Sequence, residues 1–215
     1  MSAIEAVERA LRGLIGKHDL PGHIVISGTG RAGTTFLVEL FTTLGMDTGF
    51  SDTASSDSYF PKANAGLERS LLDPDAPQIV KNPYFCDQVD AAVAAGIPIS
   101  HVIIPVRRFE EAAASRIHVQ QRTTGHQDGP AVAGGLWGTV TASEQLPILR
   151  QKFSSLVEAL VRNDIPMTFL AFPRLTGDAD YLFDKLSPLL PRVSKKEFVT
   201  AFRARARPEV VHNFR

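Results

Sequence analysis

The sequence predicts an α/β fold in which helices flank a mostly parallel central sheet on both faces. Short apolar runs alternate along the chain with segments whose apolar residues recur at helical spacing. The apolar runs are continuous rather than alternating with polar residues, which is typical of parallel strands buried on both faces. The 215 residues suffice for one sizeable core, so we expect a single domain over residues 1–215.

The first half of the chain begins with an amphipathic helix predicted over residues 3–16. A β-branched run predicts the first strand over residues 23–27, and the apolar face after it predicts a helix over residues 33–44. Residues 46–77 are rich in Ser, Asp, Gly, Pro and Ala, so we expect irregular structure there, with a short helix around residues 67–72.

The second half repeats a pattern of strand and helix, with a glycine-containing loop at residues 123–135. Strands are predicted over residues 78–81, 100–106 and 166–172. Helices are predicted over residues 84–95, 108–122, 136–162, 179–186 and 195–202, the third of them interrupted near Pro147.

The composition limits the classes of partner. Lys plus Arg equals Asp plus Glu at 23 each, so the chain has no overall attraction to nucleic acid or to an anionic membrane. Its one cysteine excludes an intrachain disulfide, and charged residues interrupt the first twenty positions, so we expect no signal peptide. We expect a soluble, cytoplasmic protein, and the sequence leaves its oligomeric state open.

The most informative segment lies between the first predicted strand and the helix that follows it. It reads Ser27-Gly28-Thr29-Gly30-Arg31-Ala32-Gly33-Thr34-Thr35. Glycines let backbone N–H groups converge on an anion, and a helix N-terminus adds the positive end of its dipole. The threonine hydroxyls and the Arg31 guanidinium add further donors. The segment therefore predicts a phosphate-binding loop in a three-layer sandwich like that of P-loop NTPases.

This loop departs from the Walker A pattern at one position. Gly28 and Gly33 have the G-x-x-x-x-G spacing, but Thr34 stands where Walker A has a lysine that reaches the β- and γ-phosphates. The strand over residues 100–106 is followed by Arg107, whereas a Walker B strand usually ends in an aspartate that holds magnesium. Both departures disfavour ATP- or GTP-driven chemistry, and the arginine after the strand suits a second phosphate better than a cation.

The segment Arg31-Ala32-Gly33-Thr34-Thr35-Phe36-Leu37 resembles the 5′-phosphosulfate-binding motif of sulfotransferases that use 3′-phosphoadenylyl sulfate (PAPS), written [RK]-x-G-T-T-x-L. The resemblance implies that this loop binds the 5′-phosphosulfate of PAPS, with Arg31 also near the sulfuryl group. The binding residues that it implies are Gly30, Arg31, Ala32, Gly33, Thr34 and Thr35.

A second motif of the same family has an Arg at the end of a strand and a Ser eight residues later, and both bind the 3′-phosphate. Here Arg107 follows the third predicted strand and Ser115 lies eight residues on, in the next helix. The resemblance implies the same roles for them. Phe109 stands where many members have a proline. Taken singly, Arg107 is explained by a surface ion pair and Ser115 by an ordinary position on a helix surface. The evidence for a phosphate site is therefore their combination with the glycine loop.

A third likeness is the segment Lys81-Asn82-Pro83, similar to the K-x-P that ends a strand in many bacterial and carbohydrate sulfotransferases. It implies that Lys81 acts beside the transferring group, although a solvated lysine after an edge strand fits the sequence equally well. Pro83 stands where cytosolic members have a catalytic histidine. Pro173 stands where many members have a glutamate. The basic residues of the segment 203–207 resemble the C-terminal basic loop that adds a phosphate contact in cytosolic members, but their spacing differs, which favours a solvated basic tail.

The resemblance implies transfer of a sulfuryl group from PAPS to a hydroxyl or amine of a small molecule or saccharide. Adenosine 3′,5′-bisphosphate (PAP) is then the product, Arg31 and Lys81 are catalytic, and no metal is required because the cations are side chains. We expect loops 46–77 and 123–135 to form the acceptor pocket. The candidate general bases are Asp52, Asp57, Glu68, His118 and His126.

Two other functions stay open. A small-molecule kinase with a P-loop would bind ATP and magnesium, but the loop has no Walker A lysine. A non-catalytic nucleotide-binding protein of the same fold is compatible with the missing histidine and glutamate, because a fold and a ligand site do not guarantee turnover.

Overall fold

A computed structural model describes residues 21–51, 59–60 and 65–207. The helix predicted over residues 3–16 and the candidate bases Asp52 and Asp57 lie outside the described residues. The strands in chain order are β1 (His23–Ile26), β2 (Tyr59–Phe60), β3 (Ala65–Gly66), β4 (Ile79–Lys81), β5 (Ile99–Val106) and β6 (Met167–Ala171).

The α-helices in chain order are α1 (Thr34–Thr43), α2 (Val89–Ala94), α3 (Phe109–Thr124), α4 (Gln145–Arg162), α5 (Arg174–Gly177), α6 (Ala179–Leu186) and α7 (Lys195–Arg205). Short 3-10 helices cover Pro83–Asp87, Ala142–Glu144 and Ser187–Leu189. None of the helices in this part of the chain has both the length and the apolar character that crossing a bilayer needs.

Four strands form one parallel sheet in the order β4-β1-β5-β6, and β2 pairs with β3 as a separate antiparallel hairpin. The parallel pairing confirms the predicted α/β class. Strand β1 lies inside the sheet, where Ile24 pairs with Ile79 of β4 on one side and with His101 of β5 on the other. Because parallel strands end at the same edge of a sheet, the residues that follow β1, β4 and β5 lie close together at that edge.

Successive side chains of each strand point to opposite faces of the sheet, and both faces are buried. Ile24 and Ile26 pack into the hydrophobic cluster that contains α1, α6 and α7. Val25, between them, packs into the cluster of α2, α3 and α4. The sheet thus separates two cores, which gives the three layers that the continuous apolar runs predict.

Three of the predicted elements differ from the structure. Residues 67–72 are not helical, because Leu67 has a φ of 66° and the N–H of Arg69 donates to the carbonyl of Lys81 at 3.0 Å. The helix predicted over residues 84–95 is divided at Gln88, whose φ is −123°. In the segment 136–162, Pro147 does not interrupt a helix but lies in the first turn of α4, where its missing N–H has no intrahelical partner to lose.

Candidate functional site

A cleft of about 440 Å³ lies at the carboxyl ends of β1, β4 and β5. Its wall includes the glycine loop after β1, the end of β4, Ser115 and Arg116 in the middle of α3, the hairpin strand β3 and most of residues 131–137. This is the edge at which open α/β sheets bind ligands, and the volume lies within the ordinary range for small-molecule sites. Parts of both loops expected to line an acceptor pocket, 46–77 and 123–135, border this cleft.

The glycine loop has the left-handed backbone that its glycines permit. Gly30 and Gly33 have φ values of 67° and 87°, and a Cβ on Gly30 would lie 2.5 Å from Nη2 of Arg116. Arg31 also lies in this region, with a φ of 53°. A non-glycine residue held there stores about 1–2 kcal/mol of strain, which is a feature of ligand-binding loops. Gly33 caps α1 without a side-chain acceptor, so the first N–H groups of α1 face the loop.

Arg116 lies beneath this loop and is buried, although it also lines the cleft. Its Nη2 donates to the carbonyl of Thr29 at 2.7 Å and its Nη1 to the carbonyl of Gly135 at 2.8 Å. The guanidinium also lies 5.2 Å from the centre of the Trp137 ring. Arg116 therefore fixes the glycine loop against the loop before α4 through neutral carbonyl groups.

The residues of the two sequence motifs meet at this position. Arg31 Nε donates to Ser115 Oγ at 3.1 Å, and Arg107 Nη1 donates to the Arg31 carbonyl at 3.2 Å. Arg107 also pairs with Glu111 at 3.3 Å, and its guanidinium lies 4.9 Å from the centre of the Phe172 ring. We call Arg31, Arg107 and Arg116 the arginine end of the cleft.

Lys81 lies at the end of β4 and is 5% exposed. Its ammonium donates to Thr35 Oγ1 at 2.9 Å and to the Gly66 carbonyl at 2.5 Å, and it pairs with Glu68 Oε1 at 3.0 Å. The lysine is thus a buried part of the cleft wall and not a solvated residue beyond an edge strand.

Glu39 lies beyond Lys81, on α1. It is 4% exposed and pairs with Arg207 Nη2 at 3.2 Å through Oε1. Arg207 Nη1 also donates to the Tyr59 hydroxyl at 3.5 Å. We call Glu39 and Glu68, with their partners Arg207 and Lys81, the carboxylate end of the cleft.

Burial and mutual repulsion depress the pKa values of the basic groups. Desolvation lowers the pKa of Arg31 to about 10, with the charge of Arg107 as a second cause. Desolvation likewise lowers the pKa of Arg116 to about 10, with Arg31 as the second cause. Burial also lowers the pKa of Lys81, which Glu68 opposes. With pKa values of about 10, Arg31 and Arg116 still carry charge at neutral pH, and two cations that repel each other create a local positive potential that favours an anion.

The charge of the cleft contrasts with that of the whole chain. Among the described residues that line it, six are basic and two are acidic, namely Arg31, Lys81, Arg107, Arg116, Arg205 and Arg207 against Glu39 and Glu68. The chain as a whole has a formal net charge of zero. Basic groups are therefore concentrated at this one cleft.

Most of the residues that the sequence singles out line the cleft. Gly30, Arg31, Gly33, Thr34, Thr35, Lys81, Arg107 and Ser115 all do so. Ala32 is fully buried and does not line the cleft, so its side chain is part of the core beneath the loop. Of the described candidate bases, Glu68 lines the cleft, whereas His118 and His126 are exposed and do not.

The sequence analysis missed several residues of the cleft, and one of its interpretations is wrong. Residues 203–207 are not simply a solvated tail, since Arg205 Nε donates to Thr43 Oγ1 at 2.8 Å and Arg207 pairs with Glu39. Arg116 follows Ser115 directly but belongs to no motif. Glu39 had a signal: it is the single charged residue in the apolar sequence of α1.

Within the described ranges, no group of three or more His, Cys, Asp or Glu residues is arranged to hold a metal ion. Comparisons of the chain with protein-family models, with curated proteins and with solved structures gave no match.

Proposed function

We propose that this protein is a sulfotransferase that binds PAPS and transfers its sulfuryl group to a hydroxyl or amine of a small molecule or saccharide. The observation that carries the proposal is the meeting of the two motifs. Arg31 of the glycine loop donates to Ser115, and Arg107 donates to the backbone of Arg31, although these pairs are 84 and 76 residues apart. The fold thus gives a 5′-phosphosulfate and a 3′-phosphate adjacent binding groups.

The glycine loop holds the 5′-phosphosulfate. Loop N–H groups and the N-terminus of α1 supply donors and a positive dipole end, and Thr34 and Thr35 add hydroxyls. Arg31 adds a full charge beside them. The left-handed conformation of Gly30, Arg31 and Gly33 supports this assignment, because turns of this kind point nearby N–H groups toward one anion.

Arg107 and Ser115 select the 3′-phosphate. Both are buried yet line the cleft, and Arg107 is held by the Phe172 ring and by Glu111, so its guanidinium is already oriented before a ligand arrives. A preorganised Arg loses little conformational freedom on binding a phosphate. This pair distinguishes PAPS and PAP from nucleotides without a 3′-phosphate.

Lys81 and Arg31 stabilise the charge that develops on the bridging oxygen as the sulfuryl group leaves. Sulfuryl transfer, like phosphoryl transfer, spreads negative charge over several oxygens, so fixed cations beside those oxygens lower its barrier. The burial of Lys81 and its bond to Thr35 support this role, because they place its ammonium beside the loop that holds the phosphosulfate.

Ligand-induced thermal stabilisation tests the binding part of the proposal. We expect PAP to raise the melting temperature more than 5′-AMP does, and ATP with magnesium to have the smallest effect, since a ligand that binds only the folded state stabilises it by mass action. A response to ATP with magnesium but none to PAP would overturn the proposal in favour of a kinase. PAP binding without transfer to any acceptor would indicate a non-catalytic nucleotide-binding protein.

The 3′-phosphate assignment has a matched pair of variants. Arg107→Gln should weaken PAP binding by about 10–100-fold, the worth of one charge-assisted hydrogen bond, while 5′-AMP binding changes little. Arg108→Gln removes the neighbouring charge, which is exposed and outside the cleft, and should leave both affinities unchanged. Calorimetric titration of both ligands measures this. Equal losses for PAP and 5′-AMP in Arg107→Gln would contradict the assignment.

A further inference from the structure

The buried carboxylate of Glu39 has no evident packing role. Every residue from Thr34 to Phe41 of α1 is buried, and Glu39 is the one charged residue of that helix. A carboxylate in such surroundings costs free energy unless it is paired, and an apolar residue of similar size would pack there without that cost. Glu39 nevertheless lines the cleft.

The position of Glu39 along α1 relates it to the transferring group. Thr35 and Glu39 are four residues apart, so they lie one above the other on the same face of the helix. Thr35 Oγ1 accepts the hydrogen bond from Lys81 Nζ at 2.9 Å. Glu39 therefore lies one helical turn beyond the point where the phosphosulfate loop contacts Lys81.

We propose that Glu39 accepts the proton of the acceptor hydroxyl and that Arg207 positions its carboxylate. This assignment rests on the function proposed above. A Glu39 oxygen takes the hydroxyl proton, and the electron pair of the acceptor oxygen forms the new bond to sulfur. The bond from sulfur to the bridging oxygen breaks, and its electron pair leaves on the phosphate of PAP. The proton passes from Glu39 to water when the products leave.

The other candidate bases fit this role less well. Glu68 pairs through Oε1 with Lys81 at 3.0 Å, the same cation that faces the bridging oxygen, so its carboxylate positions that lysine. His118 and His126 lie outside the cleft. Burial raises the pKa of Glu39, and this effect is opposed by Arg207, Arg205 and Lys81, the cations that face it. A carboxylate with a raised pKa is a better proton acceptor.

Transfer from PAPS to phenols of graded acidity tests the assignment with Glu39→Gln, and with Glu68→Gln as the matched variant of the other cleft carboxylate. Weakly acidic phenols must lose a proton during attack, whereas 4-nitrophenol is ionised near neutral pH and needs no base. We expect Glu39→Gln to lower kcat about 10²–10³-fold for phenol and little for 4-nitrophenol. Glu68→Gln should lower the rate of both by the same factor.

Equal losses for all phenols in Glu39→Gln would overturn the assignment and leave Glu39 a structural residue. If the protein transfers to no phenol, the same comparison uses water as acceptor and measures PAP released from PAPS, and release that is unaffected by Glu39→Gln also overturns the assignment. Failure of the proposed function is distinct, because the wild-type protein then either binds no PAP, or binds it and neither transfers to any acceptor nor releases PAP from PAPS. If Glu39→Gln does not fold, Glu39→Asp replaces it and should retain the dependence on phenol acidity at a reduced rate.

The positioning role of Arg207 has its own readout. Removing its charge with Arg207→Gln should raise the pKa of Glu39 further, so the acidic limb of the kcat profile should move to higher pH. If the acidic limb of the kcat profile does not move, the positioning role of Arg207 is overturned. The role of Glu39 is then decided by the phenol series alone.

Discussion

Arg116, at one end of the cleft, donates to two backbone carbonyls and lies against an indole ring, whereas at the other end Lys81 and Arg207 each face a carboxylate. The two ends also differ in exposure. Arg116 is 7% exposed, but the ion pairs of the carboxylate end each include one side chain, Glu68 or Arg207, that is 40% exposed.

On the proposed function, the difference between the two ends corresponds to a difference in role. Arg116 is held by neutral carbonyls rather than by a carboxylate, so its positive charge contributes a fixed potential to an anion at this end of the cleft. Ion pairs with one partly solvated member exchange partners more readily, because water replaces the partner that leaves. On the proposed function, the arginine end recognises the nucleotide, with Arg31 also facing the transferring group, and the carboxylate end takes part in the transfer.

The largest effect that tests this separation is expected at Lys81. Lys81→Met keeps the length of the side chain but removes its charge, and should lower kcat for transfer about 10²–10³-fold, as the loss of one donor to a developing negative charge does elsewhere. PAP affinity should change only a few-fold, because the arginine end is intact. Rapid-quench or steady-state assays of transfer and calorimetry of PAP binding measure the two quantities.

Lys152→Met is the control for Lys81→Met. Lys152 also pairs with a carboxylate, Asp87, but lies outside the cleft. Its rate and affinity should match the wild-type protein. A loss of PAP affinity in Lys81→Met as large as the loss of kcat would show that the two ends do not act separately.

A smaller effect is expected from Gly30→Ala, which tests the rigidity of the arginine end. Alanine at this left-handed position should cost about 1–2 kcal/mol, and its Cβ should also displace Arg116 from Thr29 for about 1 kcal/mol more. Gly125→Ala is the matched control, since Gly125 has a φ of 82° with nothing within 4 Å of its Cβ position. Urea unfolding measures both variants, and equal losses of stability would mean that Arg116 moves freely.

The smallest effect concerns stability and pH at the carboxylate end. The pKa of Glu39 is raised in the folded protein, so the folded state binds more protons than the unfolded state just above pH 4.5, the ordinary value for this group. Wild-type stability should therefore fall, relative to Glu39→Gln, as the pH rises through the folded-state pKa of Glu39. Chemical denaturation across pH 4–8 measures the difference between the two proteins. A difference independent of pH would contradict the raised pKa.

Much of the fold could be predicted because it depends on short-range signals. The β-branched run before Ser27 and the glycines after it specify a strand, a turn and a helix start within a few residues. The spacing of Arg107 and Ser115 could likewise be recognised, since a strand end and two helical turns fix their relative positions. Residues 67–72 could not, because the backbone of Arg69 bonds to Lys81, which is distant in sequence.

The missed part of the site has the same origin. Arg116 acts through carbonyls of Thr29 and Gly135, one on each side of it in the chain, and no local pattern indicates which carbonyls a buried arginine will meet. Arg207 reaches Glu39 from 168 residues away. Glu39 is the one missed residue with a local signal, because it is a carboxylate within an otherwise uncharged helix. The sequence analysis considered only the apolar face of that helix and therefore missed it.

The ammonium of Lys81 has three hydrogens, and Thr35, Gly66 and Glu68 accept from it. A ligand that binds to this lysine must therefore displace one of these partners. The enthalpy of ligand binding at Lys81 will then be the small difference between the hydrogen bond that is broken and the one that is made. Gly66 belongs to the β2–β3 hairpin, and Glu68 follows it closely. Displacing either partner from the Lys81 ammonium therefore removes a contact that holds this segment to the sheet. Occupancy of the cleft and the mobility of that hairpin should consequently change together, which hydrogen exchange at Gly66 with and without PAP would detect.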